Sequence, residues 1–448
     1  MDFLLGLDIG TTNIKGVLVS PDGTEIYDSK AGFTYNTTDD GKVEIDADTY
    51  IEVCASVIRE LSQKLPAGGK ICGISAASAS GNLLLLDENN EPLTPIFNWQ
   101  DKRVTTESTE CLTGIDFDGL YEIVGWPFGG KGMPLALFCW VKKHQPEIIE
   151  KCKKIVMSTE YLFYKLTGKW GIGTSAGTPF FFIDQQKGEY NKELLKVLKL
   201  DEQMFPPIME TGEKLGEVTK SGEEIFGVKN GTAVVLGTFD HPSAARAVGV
   251  LNEGELLLSC GTSWVGFCPV NEREKGTENR LLIDPFLSPD GCWGTMFSLA
   301  SVSVKLEKFI RKHITNSGNV FEELGKLAKK SISGANGLVL DPYNEYELEE
   351  LQKYPKEDLA RAVMEGVVRR LDERLKKLEP SGIKPNTAVM TGGPTQDPLW
   401  IEIIEEITGL SVSVKHGAFA GAIGAAMLAG ISCGIYKDEK DAANYLKG

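Results

Sequence analysis

An apolar run from Phe3 to Asp8 closes at Gly10, and a second, from Ile14 through Val17, Leu18 and Val19, ends at the turn Pro21-Asp22-Gly23. A third occupies Thr24 to Tyr27. Short apolar runs separated by Gly, Pro and Asp predict strands that reverse, so the chain opens as a β-meander. A helical pattern follows from about Asp48 to Lys64, with Asp46 and Asp48 at the end where a helix dipole favours negative charge. In the second half, Val302 to His313 has helical spacing, and Leu359, Val363, Val367, Leu371 and Leu375 recur every four residues. The strand Ala388 to Met390, the turn Gly392-Gly393-Pro394, a helix from Pro398 to Thr408, the strand Val412 to Val414 and a small-residue helix from Ala420 to Ala429 complete an α/β grammar.

The pattern also repeats itself. Leu4-Leu5-Gly6-Leu7-Asp8-Ile9-Gly10-Thr11-Thr12 is echoed by Leu256-Leu257-Leu258-Ser259-Cys260-Gly261-Thr262-Ser263, and each run is followed by β-favouring residues. Two like hairpins predict duplicated α/β domains with a boundary near Ala245 to Gly254. The length of 448 residues agrees, since it exceeds what one hydrophobic core serves.

Composition removes several function classes. The net charge of −16 speaks against nucleic-acid partners, whose binding rests on Lys and Arg displacing counterions. Nine scattered cysteines without a CxxC pair predict neither a disulfide framework nor a zinc site. The opening MDFLLGLDIG lacks the basic flank of a signal peptide, and the longest small-apolar stretch, Ala418 to Ile431, is too short and glycine-rich to span a bilayer. A reduced, cytoplasmic setting without membrane attachment is expected. Gly129-Gly130-Lys131-Gly132 leads into Met133-Pro134, so it is no Walker loop and is read as a mobile turn; no GxGxxG follows a strand.

Four constellations remain for chemistry. Asp8-Ile9-Gly10-Thr11-Thr12 with Lys15 offers backbone N–H groups, hydroxyls and an ammonium to a phosphate, and Asp8 can hold a hydrated Mg²⁺. Gly261-Thr262-Ser263 is a second candidate phosphate clamp, and Gly392-Gly393 leaves flat space for an adenosine. Asp240, beyond the apolar strand Ala233 to Leu236, can accept the proton of an attacking hydroxyl, or else begin the small-residue helix that follows. His241 is a rival base.

Together these residues resemble the FGGY carbohydrate kinases, the family of xylulose, glycerol, gluconate and ribulose kinases. The likeness runs nearly end to end: Asp8-x-Gly10-Thr11-Thr12, Leu86-Asp87 to Trp99-x-Asp101-x-Arg103, Tyr161-Leu162 with Leu166-Thr167-Gly168, Asp240, Gly261-Thr262-Ser263, Ala362 to Val367, Gly392-Gly393 with Trp400, and Ala422 to Ala426. The resemblance implies an α/β chain of two actin-like, ribonuclease H-like ATPase domains with a central interdomain cleft: residues 1–247 bind the sugar and 248–448 the nucleotide. ATP and Mg²⁺ are the implied cofactors. Asp240 becomes the general base; Asp8 and Asp240 serve the metal; Asp8, Gly10, Thr11, Thr12, Lys15, Gly261 and Thr262 serve the phosphates, and Gly392 and Gly393 the adenosine. Ser80, Gly81, Asn82, Trp99, Asp101, Arg103 and His241, with Asp240, are the implied sugar contacts.

Departures from the family bear on the sugar. Ala79, Ser80 and Gly81 stand where relatives carry larger polar contacts, Leu137 replaces a usual Lys after Pro134, Phe419 replaces a usual Glu, and the 340–357 segment is short. The expected activity is ATP-dependent phosphorylation of a hydroxyl on a small sugar, a ketose such as a pentulose, with a sugar acid or polyol as alternative; a homodimer is left open. A non-catalytic sugar or nucleotide sensor would lack the base or a phosphate clamp, both of which are present here. A chaperone-like ATPase would not need Trp99-x-Asp101-x-Arg103.

Overall fold

The computed structural model describes residues 1–79, 81–105, 107–129, 133–316, 318–415 and 417–446. They form two compact units, one of Met1–Leu251, Arg280–Gly291 and Phe419–Gly448, the other of Asn252–Asn279 and Cys292–Ala418.

The first unit is built on strands β1 (Asp2–Ile9), β2 (Asn13–Val19), β3 (Ile26–Gly32), β4 (Lys70–Ser78), β5 (Lys214–Glu217) and β6 (Ala233–Phe239), in the order β5-β6-β4-β1-β2-β3. The opening meander is antiparallel, while β4 runs parallel to β1 and β6 parallel to β4. The third strand lies further along than the apolar pattern of Thr24 to Tyr27 suggests. Asp22 accepts hydrogen bonds from the Ser20 hydroxyl and from the Thr24 amide and hydroxyl, which keeps Thr24 in the turn. β3 then continues to Gly32 as an edge strand, exposed at most positions and polar for that reason.

Helix α1 (Ala47–Gln63) starts where Asp46 accepts the Thr49 amide at 2.9 Å, as the acidic start signal anticipates. It packs over β2, since a Cβ on Gly16 would lie 2.7 Å from Leu61 and 2.9 Å from Val57. The Ala420–Ser432 helix covers the opposite face: a Cβ on Gly6 would lie 1.9 Å from the Ala422 carbonyl oxygen. Helix and strand backbones therefore touch, which explains Gly6 in the strand and the many Gly and Ala residues of the helix. Two further helices carry site residues, α2 (Ser158–Thr167) and α3 (Asp240–Val248).

The second unit repeats the plan. Its strands β7 (Glu255–Cys260), β8 (Trp264–Val270), β9 (Trp293–Leu299), β10 (Thr387–Gly392) and β11 (Ser411–Val414) lie in the order β9-β8-β7-β10-β11. β7, β8 and β9 form an antiparallel meander, and β10 runs parallel to β7. The β7–β8 hairpin thus holds the place of the β1–β2 hairpin, and the internal echo in the sequence is an echo of topology. Helices α4 (Val302–His313), α5 (Val320–Ala328), α6 (Lys356–Leu378) and α7 (Pro398–Thr408) complete the unit. The four-residue recurrence along α6 is buried throughout, at Leu359, Val363, Val367, Leu371 and Leu375, and the stretch Asp358 to Val368 is buried on all sides. No helix among the described residues is long and apolar enough to cross a membrane.

Candidate active site

In the first unit three parallel strands end in a row. Ile9 pairs with Ser78, and Ser78 with Phe239, so the β1–β2 turn and the start of α3 follow at one edge. The turn Gly10-Thr11-Thr12 is closed by the Gly10 amide donating to the Asn13 carbonyl at 2.9 Å. Strand spacing puts β1 and β6 about 10 Å apart across β4, a gap on the scale of a phosphoryl group and its ion.

Asp8 and Asp240 face this edge, both half-buried. Burial, and then the neighbouring Asp240 charge, push the Asp8 carboxyl up to about 7, while Lys15, its partner across β1–β2, pulls it down. Gly421, in the first turn of the Ala420–Ser432 helix, packs directly on this carboxylate, with an added Cβ lying 2.6 Å from Asp8 Cγ. Asp240 follows β6 directly, because the strand runs on to Phe239. It is the first residue of α3 rather than its cap, and its carboxylate accepts the His241 amide at 2.7 Å. His241 lies against Phe239, ring centroids 5.9 Å apart.

Sequence reasoning missed a third carboxylate. Asp284 is wholly buried in the same unit and accepts hydrogen bonds from the Ser175 hydroxyl and the Phe286 amide, each at 2.8 Å. Burial pushes its carboxyl up to about 6, and the Asp240 charge adds to this against those two bonds and Arg246. The pattern Leu282-Ile283-Asp284-Pro285 reads as a strand end with a turn-forming Asp-Pro, so nothing local marks it.

The expected sugar contacts divide. The Trp99 indole N–H donates to the Thr11 hydroxyl at 2.9 Å, joining a sugar candidate to a phosphate candidate. Gly81 lies beside Trp99, and its φ of +78° favours glycine. Asn82 exchanges hydrogen bonds with Ser158 at the start of α2, and the Ser158 hydroxyl donates to Tyr50. Thr11, Asn82, Asn98, Trp99 and Tyr50 are among the residues lining a cavity of about 20 Å³, room for one water. Asp101 and Arg103 are turned toward each other. Asp101 is buried and accepts the Val43 amide at 2.9 Å and the Arg103 guanidinium at 2.8–3.1 Å; Arg103 also pairs with Glu44 at 3.0 Å and lies over the Phe97 and Trp140 rings. Ser80 and residues 130–132 of the glycine-rich turn lie outside the described residues.

In the second unit the glycine signals also converge. Cys260 and Gly392 are paired across β7 and β10, so Gly261-Thr262 and Gly392-Gly393 emerge side by side at the carboxyl edge. Gly392 has φ +100°, and a Cβ there would lie 2.2 Å from the Cys260 carbonyl oxygen, so no other residue fits; Gly393 has nothing within 4 Å of its Cβ position. The Ser303 amide and hydroxyl donate to the Thr262 and Gly261 carbonyls at 3.0 and 2.7 Å, tying the turn to α4. Trp400 is core, edge-on to Trp264 at 5.2 Å. An open cavity of about 560 Å³ at the other end of α4 is lined by Arg311, Lys312, His313 and Lys356. Its lysines Lys312 and Lys356 cap backbone carbonyls, at Tyr346 and Ile314, and it lies a helix length, about 18 Å, from the glycine turn.

Residues 3–247 match the N-terminal domain, and residues 346–433 the C-terminal domain, of the FGGY family of carbohydrate kinases. The chain belongs to that family. This carbohydrate kinase is 26% identical to a xylulose kinase of Lactococcus lactis over 97% of its own length and 89% of the relative's. It is 25% identical to an autoinducer-2 kinase of Klebsiella pneumoniae, over 98% and 87%. The crystal structure of a xylulose kinase from Rhodospirillum rubrum superposes with a TM-score of 0.89 at 23% identity, covering 98% of this kinase and 92% of that chain, which bears out the two-domain actin-like fold. As a family member the kinase transfers a phosphoryl group from ATP to a carbohydrate hydroxyl.

Proposed function

We propose that this kinase phosphorylates a pentulose with MgATP, and that Asp240 accepts the proton of the attacking hydroxyl. The observation that carries the reading is the shared edge of the first unit, where a half-buried carboxylate at the end of β6 neighbours Asp8 and a glycine-threonine turn at the end of β1. The pentulose rests on the xylulose kinases among its relatives. Phosphates engage Gly10, Thr11, Thr12 and Lys15 from residues 1–247, and Gly261 and Thr262 from residues 248–448, with the adenosine beside Gly392 and Gly393. The sugar engages Gly81, Asn82, Trp99 and His241, while Asp101 and Arg103 shape the loop that presents Trp99.

Among the described residues no cluster of three or more His, Cys, Asp and Glu side chains could cage a metal. Two neighbouring carboxylates instead suit Mg²⁺, which binds through one or two acids plus substrate phosphates. Asp8 and Asp240 would hold it, and it would neutralise phosphate charge. The sugar oxygen forms its bond to the γ-phosphorus as the bond to ADP breaks, and the released proton passes to Asp240. Such transition states are loose, so alignment and charge neutralisation supply most of the rate and the base acts late. The net charge of −16 and the nine cysteines, free throughout, support a cytoplasmic enzyme without nucleic-acid partners.

The test is Asp240→Asn, assayed for ADP release across ketoses, aldonates and polyols. Turnover should fall about 10²–10⁴-fold with ATP binding retained. Wild-type turnover in the variant removes Asp240 as base, and a polyol or aldonate preferred over every pentulose removes the substrate assignment.

A further inference from the structure

Residues Arg280–Gly291 belong to the compact unit that carries Asp240, although in sequence they interrupt the other unit. Their contacts frame Asp240 on both sides. On the strand side, Asp284 accepts the Ser175 hydroxyl proton at 2.8 Å, and Ser175 Oγ in turn accepts the amide of Phe239, the residue before Asp240, at 3.2 Å. On the helix side, Arg246 donates to the Phe286 carbonyl at 2.6 Å and the Pro242 carbonyl at 3.3 Å, with its guanidinium 4.6 Å from the Phe286 ring. Asp284 also accepts the Phe286 amide at 2.8 Å. Phe286 itself sits at φ +27°, a strained conformation that persists only where surrounding contacts enforce it.

We infer that Asp284 is a positioning residue for phosphoryl transfer: through Ser175 it holds the Phe239–Asp240 junction and so aims the Asp240 carboxylate. The direction of the relay is set by chemistry. A carboxylate only accepts, so Ser175 must spend its proton on Asp284 and turn a lone pair to the Phe239 amide. An asparagine of the same shape cannot serve both neighbours. With its oxygen toward the Phe286 amide, its NH₂ faces Ser175 and strands the serine proton; flipped, its NH₂ meets the Phe286 N–H, donor against donor.

The inference rests on the reading of Asp240 as base, and the experiment separates the two. Asp284→Asn, Ser175→Ala, the double variant and Asp240→Asn are made in the full chain, and kcat, KM for ATP, KM for the best sugar and thermal unfolding are measured. A misaimed base predicts a fall in kcat of about 10–100-fold for Asp284→Asn and Ser175→Ala with both KM values within about twofold of wild type. The double variant should be no slower than the slower single, because both act through one chain of bonds. Should Asp284→Asn fail to fold, Ser175→Ala, which leaves the Asp284–Phe286 bond in place, carries the test. If Asp240→Asn is inactive while the other variants keep wild-type kcat, with or without a lower Tm, the brace is structural only and the inference falls. If Asp240→Asn turns over normally, it is the base assignment that fails.

Discussion

Replacing Gly421 by Ala tests whether the Asp8 carboxylate belongs to the machinery, because the new methyl meets Asp8 before anything else. Its Cβ would lie 2.6 Å from Cγ, 2.8 Å from Oδ2 and 3.0 Å from Oδ1 of Asp8. Relief to an ordinary contact of 3.4 Å needs about 0.8 Å of movement. The helix cannot supply it by backing away. The Ser243 hydroxyl of α3 holds the Gly421 carbonyl at 2.7 Å, and a Cβ on Gly424 would fall 1.9 Å from the Ser243 carbonyl oxygen, so the helix is already tied to α3 with their backbones in contact. The Asp8 side chain must turn, at a rotamer penalty of about 0.5–1.5 kcal/mol. Against this, Ala in place of a helical Gly stabilises by roughly 0.5–1 kcal/mol. The two nearly cancel, so thermal unfolding should hardly change. Function should change on the proposed role of Asp8, since a displacement near 1 Å at a group holding phosphate and metal would lower kcat/KM for MgATP by up to about 100-fold. A coupled assay of ADP release, with Mg²⁺ and ATP titrated separately, reads the loss. A variant within twofold of wild-type kcat/KM refutes the reasoning.

Two further outcomes follow from buried carboxylates elsewhere in the first unit. Burial pushes Glu160, whose carboxylate accepts the Met157 amide, up to about 7 from an ordinary 4.5. The folded chain therefore keeps a proton that the unfolded chain loses between those values, and stability falls as pH rises through the window, by up to about 3 kcal/mol. Glu160→Gln keeps the acceptor without the titration, so its advantage in Tm should widen from pH 5 to 7 and then level off; a gap independent of pH refutes this. Asp101→Ala should lower stability by about 1–3 kcal/mol in urea unfolding, because it strands the Val43 amide and part of the Arg103 guanidinium, which keeps only Glu44. A loss under about 1 kcal/mol together with a raised KM for sugar would make Asp101 a sugar ligand instead.

Where sequence reading worked, the signal was local. A hairpin needs only apolar alternation and a glycine turn, so the β1–β2 and β7–β8 pairs, and with them the duplication, were legible from Gly10-Thr11-Thr12 and Gly261-Thr262-Ser263 alone. α6 was legible because one face of a helix repeats every four residues. β3 was misplaced because its outward positions Ile26, Asp28, Lys30 and Gly32 are exposed and its inward face carries only Tyr27, Ser29 and Ala31, too small and polar to show an apolar alternation. Trp99-x-Asp101-x-Arg103 was visible as a motif but not as a division of labour, since Asp101 and Arg103 satisfy each other and leave Trp99 to reach Thr11.

By itself the sequence determined the fold class, the repeated plan, the glycine turns at the strand ends and the candidate base, all of which depend on neighbours a few residues apart. Only the tertiary structure decided that Asp240 lies beside Asp8, that Gly421 packs on that carboxylate and that Asp284 reaches Phe239 through Ser175. These partners stand tens to hundreds of positions apart in the chain. Parallel strands and their crossovers bring them to one edge, and the energy of a buried charge is set by every group around it, which no local pattern encodes.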